Sequence, residues 1–201
     1  MNSKSLKSFL GGSGAATLIC LMVQATTIRA EPVLFTFTGT SSGFVGSTPF
    51  TDALFNIQFF GDTSTVIQPG NGTFGINGSL STITLGNIGS GSFLDGTRMF
   101  ALQSGTAGFG MQGGNLVLLL TGPALAGYDL RSSFSPATFA TVGEDTLERF
   151  RDISTTLGPV DFTSARDVTF SAVIVPEHAS LGLLSVAATL LWCLRRRRTA
   201  R

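Results

Sequence analysis

Ala53-Leu54-Phe55-Asn56-Ile57-Gln58-Phe59-Phe60 decides the fold class of this chain. In an extended backbone Ala53, Phe55, Ile57 and Phe59 share one side, while Leu54, Asn56, Gln58 and Phe60 share the other. That period of two, with aromatics on one face, belongs to a strand with one side in a core. Val168, Phe170, Ala172 and Ile174 repeat it, with Thr169 and Ser171 turned away. Val33 to Thr38, Ser79 to Leu85, Thr97 to Leu102 and Asn115 to Thr121 add short runs rich in β-branched or apolar residues. Between the runs lie Pro69-Gly70-Asn71-Gly72, Asn77-Gly78, Asp95-Gly96 and Gly113-Gly114-Asn115, read as hairpin or turn signals. Short strands separated by glycine turns predict an all-β fold, an antiparallel β-sandwich or jelly roll.

One stretch departs from this pattern. Gly143 to Ile153 carries Glu144, Asp145, Glu148, Arg149, Arg151 and Asp152, with Leu147 and Phe150 three apart. Opposite charges at i,i+4 and i,i+3 predict one short surface helix, held by those two apolar side chains. Glu144, Glu148 and Asp152 are the only candidates for a cation, calcium, and no Asp-x-Asp-x-Asp-Gly loop accompanies them. No cofactor is expected.

The chain divides into three segments. Lys4 and Lys7 precede an apolar stretch from Phe9 to Ala25, and Ile28-Arg29-Ala30 ends in a small residue. Residues 1–30 therefore read as a signal peptide, cut by signal peptidase between Ala30 and Glu31, with an upstream cut near Ala25 as the alternative. Residues 179–194 are apolar and predict a transmembrane helix of roughly 24 Å at 1.5 Å per residue. A bilayer core of about 30 Å accepts such a helix with local thinning and snorkelling. Arg195, Arg196, Arg197 and Arg198 follow as a stop signal that holds this end on the cytoplasmic side.

The body between, residues 31–175, is the expected extracytoplasmic β-rich domain, of a size suited to one core. It carries eleven acids against five arginines, a net of −6, and no lysine. An acidic surface argues against nucleic acid as a partner. The body also lacks cysteine and histidine, since the only histidine is His178. This removes the Ser-His-Asp triad, the thiol nucleophile, the Schiff-base lysine and the usual zinc ligands. Asp52, Asp62, Asp95, Asp129, Asp161 and Asp167 remain as carboxylates for glycoside hydrolysis, but their neighbours mark them as turn formers. A non-enzymatic protein is expected.

Val175-Pro176-Glu177-His178, the apolar run and the arginine cluster together resemble the PEP-CTERM sorting signal of bacterial envelope and matrix proteins. That pattern is Val-Pro-Glu-Pro, a short transmembrane helix and terminal arginines, and His178 stands where the last proline would be. The resemblance covers residues 175–201 and says nothing of the body. It implies processing near the motif by an exosortase, a membrane-embedded cysteine transpeptidase-like enzyme. The expected protein is exported, anchored in the membrane by its tail, then placed on the cell surface or in the extracellular matrix. Its role would be structural or adhesive. Two alternatives stand beside it: a carbohydrate-binding module for matrix polysaccharide, and a surface protein whose anchor is never cleaved.

Overall fold

The computed structural model describes residues 31–78, 80–141 and 152–175. Twelve strands account for most of them: β1 (Pro32–Val45), β2 (Thr48–Asp62), β3 (Ile67–Gly70), β4 (Thr73–Asn77), β5 (Leu80–Leu85), β6 (Gly89–Ser92), β7 (Thr97–Leu102), β8 (Ser104–Met111), β9 (Leu116–Ala126), β10 (Phe134–Thr141), β11 (Ile153–Thr155) and β12 (Gly158–Ile174). Every pairing is antiparallel. The strands form one sheet in the order β3-β4-β7-β8-β9-β10-β12-β1-β2-β5-β6, with β11 added on β12. Among the described residues there is no α-helix, only a 3-10 turn at Thr63–Thr65.

The alternation read from sequence explains how this sheet curls. Phe55, Ile57 and Phe59 of β2, Phe35 and Phe37 of β1, and Val168 and Phe170 of β12 all point inward and are buried. Phe109 of β8 comes from the other half of the sheet and meets Phe37 at 5.9 Å and Phe59 at 5.7 Å between ring centroids. Such tilted and edge-on contacts suit the charge distribution of aromatic rings. Each fully buried phenylalanine stabilises the fold by about 1.5–3 kcal/mol relative to exposure. The curl also meets the free edge of β6. Leu94 N–H donates to Ser154 O, Thr156 N–H donates to Ser92 O, and Phe93 bridges Thr155. Backbone groups that would line an open edge are thereby paired.

Two turn readings need correction. Asn71-Gly72 is a hairpin turn between β3 and β4, both residues having positive φ (53° and 67°). Asn77-Gly78 and Asp95-Gly96 are instead crossings between the two halves, since β4 pairs with β7 while β5 pairs with β2 and β6. Gly78 is required by crowding rather than by turn geometry: a Cβ there would collide with the Phe59 ring. The expected helix over 143–153 is also cut short. Ile153 opens β11 and is fully buried, and Asp152 before it has φ 55°, outside the helical region. The rest of that segment, with Glu144 and Glu148, lies outside the described residues.

Candidate functional site: an uncharged face on the outside of the sheet

Strand register brings together outward residues that are far apart in sequence. Thr138 pairs with Thr169, Thr169 with Thr38, Thr38 with Asn56, Asn56 with Thr84, and Thr84 with Ser90. Two residues further along, Ser171, Thr36, Gln58, Thr82 and Ser92 form a second row in the same way. Neighbouring strands lie about 4.8 Å apart and alternate residues about 6.8 Å apart, which sets the mesh of this array. Every member is a hydroxyl or an amide, and no charged side chain interrupts the two rows.

The rows differ in how far their groups are already satisfied. Thr84 Oγ1 and Ser90 Oγ share a hydrogen bond of 2.8 Å, and Thr138 Oγ1 and Thr169 Oγ1 one of 3.0 Å, so the margins are tied. At the centre, Asn56 Oδ1 is covered yet has no hydrogen-bond partner. Charge begins one row further out, where Arg166 opposite Thr40 pairs with Asp52. On the other side the array ends at an apolar row, Val173, Leu34, Phe60 and Leu80, each opposite the next across neighbouring strands. The remaining half of the sheet presents a different outer surface. Ile67, Phe100 and Leu119 alternate there with Gly75 and Gly108 across successive strands, and the large side chains lean over the glycines.

The carboxylates considered as catalytic candidates are dispersed. Asp62 Oδ1 accepts from Ser64 N–H (2.8 Å) and Ser64 Oγ (2.7 Å), capping the 3-10 turn. Asp129 Oδ1 accepts from Arg131 N–H at 3.0 Å, the same side-chain turn chemistry. Asp161 Oδ1 accepts from Asp152 N–H at 2.6 Å, so this cation candidate lies beside a second carboxylate. Asp52 and Asp167 occupy positive φ in the long strands. Among the described residues no three His, Cys, Asp or Glu side chains gather where they could hold a metal ion. Among the described residues the one buried titratable group is Tyr128. Burial first, and then the Asp129 charge, push its phenol well above the usual range. Its hydroxyl donates to Ser132 O at 3.0 Å, which makes it a corner brace.

Of the processing and sorting residues, Glu31 and Val175 are described. Glu31 O accepts from Thr63 N–H at 3.0 Å, and Val175 N–H donates to Pro32 O at 2.7 Å. The chain therefore enters and leaves the sheet at one point, on the adjacent strands β1 and β12. Ala30, Pro176, Glu177, His178 and Arg195 to Arg198 lie outside the described residues. The expected transmembrane helix at 179–194 does too; among the described residues no helix is long and apolar enough to cross a membrane.

Sequence reasoning found the outward set one strand at a time, in Asn56, Gln58, Thr169 and Ser171. It missed the array, because register between distant strands is not written in local periodicity. Compared with protein-family models, with curated proteins and with solved structures, the chain matches none.

Proposed function

We propose that this is an exported envelope or matrix protein with a structural or adhesive role, sorted by its PEP-CTERM-like tail. In this reading exosortase-type processing occurs near Val175-Pro176-Glu177-His178, and the curled sheet serves as a β-sandwich body. The observation that carries the reading is the apolar run 179–194 closed by Arg195 to Arg198, beginning five residues after the end of β12 at Ile174. The pairing of Val175 with Pro32 supports it, because a body whose ends emerge together can be tethered from one pole without strain on the sheet. Deleting residues 179–201 should send the body into the medium unattached. Unchanged surface retention of that truncated chain would overturn the sorting role.

A second reading is favoured by the uncharged array: the body grips neutral matrix polysaccharide through rows of hydroxyls and amides. Such groups exchange hydrogen bonds with a polyol without the desolvation cost of an unpaired charge. The face offers no tyrosine or tryptophan for stacking, so affinity would come from many weak contacts. A glycan array probed with the body, with and without chelator, separates the two readings. Binding to neutral glycans that is lost in Thr36→Ala/Gln58→Ala/Thr82→Ala supports the second, and silence under both conditions supports the purely structural role.

A further inference from the structure

The apolar row beside the uncharged array is placed where the chain leaves the sheet. Val173 of β12 lies two residues before Val175, Leu34 two after Pro32, Phe60 two before Asp62 and Leu80 at the start of β5. Each is opposite the next, so the four form one continuous strip across four strands. Val173 is 55% exposed and Leu80 53%. The other large exposed hydrophobics on this half, Phe44, Leu54 and Leu94, do not pair with one another. The two outward rows next to it carry only hydroxyls and amides, so an apolar row at this pole is a local departure from its surroundings. The groove beside it is lined by Pro32, Phe60 and Leu80 together with the polar Asp62, Thr65 and Asn77.

We propose that this row, Val173-Leu34-Phe60-Leu80, is the surface by which the body rests on the bilayer while its tail holds it there. The inference rests on the reading of residues 179–194 as a membrane anchor. Ala179 is four residues past Val175, and four residues reach at most about 14 Å when extended. This pole is therefore confined near the headgroups, where exposed Val173 and Leu80, with half-buried Leu34 and Phe60 between them, enter the interface favourably. The β1–β2 turn at Gly46-Ser47 is roughly 40 Å away from Leu34 along β1, at about 3.3 Å per residue. Glu31 and Asp62 lie beside the row at the ends of β1 and β2, so the contact rests on apolar burial and does not require anionic headgroups.

The test uses the chain from Glu31 to Arg201, as the signal-peptide cut leaves it, with Cys193→Ser, reconstituted into phosphatidylcholine vesicles. An environment-sensitive fluorophore is attached at one introduced thiol: Leu80→Cys, Val173→Cys, or Ser47→Cys as the distant reference. Flotation with the vesicles is measured first, then quenching by aqueous iodide. The expected result is flotation of all three, with quenching at positions 80 and 173 reduced several-fold relative to position 47. Adding Val173→Glu to the Leu80→Cys chain should restore quenching without unfolding, since both positions are exposed. Flotation with equal quenching at all three positions overturns the resting surface and leaves the anchor standing. Failure to float defeats the anchor and this inference with it. Shielding of position 80 in a chain truncated after Val175, without vesicles, assigns the row to a second copy and overturns the proposal.

Discussion

Phe109 holds the two halves of the curled sheet together, touching Phe37 and Phe59 and lying 5.2 Å from the Phe93 ring. Phe109→Ala removes the ring that all three pack on, and should cost about 3–5 kcal/mol in denaturant unfolding. Gly43 is a second sensitive residue, because a Cβ there would drive into the Asp161 carbonyl of the adjoining strand. Gly43→Ala should destabilise by roughly 1–3 kcal/mol, as other forced overpacking does. Tyr128, the only tyrosine, sets an alkaline limit. Its folded pKa is raised above an unfolded value of about 10, so its contribution is complete below that pH. The contribution is lost as pH rises through the folded value, because the unfolded chain then releases the proton more readily. Ultraviolet titration should find the phenol silent until unfolding, and Tyr128→Phe should lessen the extra alkaline loss of stability. The exposed Arg166–Asp52 pair makes a contrast: Arg166→Ala should change stability by no more than about 1 kcal/mol.

Elements were legible where their own residues carried the pattern. β7 runs from Thr97 to Leu102 as expected, and the alternating stretches of β2 and β12 put their expected faces in the core. Asn71-Gly72 was legible because a two-residue turn with positive φ needs these residue types. β8 was not, since three of its eight residues, Gly105, Gly108 and Gly110, lack the side chains that mark a strand. Their use appears only across strands, where Phe100 and Leu119 lie over Gly108. The turns at Asn77-Gly78 and Asp95-Gly96 misled for a similar reason. A glycine needed for a close approach looks the same in sequence as a glycine needed for a hairpin. The uncharged face belongs to this scale too. Thr36→Ala/Gln58→Ala/Thr82→Ala changes only partly exposed outward positions, so thermal unfolding should shift little even if glycan binding disappears.

At the scale of the molecule, β1 and β12 are adjacent and bring Pro32 and Val175 to one pole. Sequence marked those two points as segment boundaries from charge, hydropathy and small-residue signals, with no knowledge that they meet. Under the proposed anchoring, their meeting would let a single tether suffice, with the uncharged face and the β1–β2 turn carried outward from it. The measurement that tests this most directly is the intact mass of the protein recovered from its native host, with both termini assigned. Processing at both ends would yield a chain that starts at Glu31 and stops near Val175 to Glu177, with any added mass at the new C-terminus. Recovery of an unprocessed chain from Met1 to Arg201 in the soluble cytoplasm would contradict it.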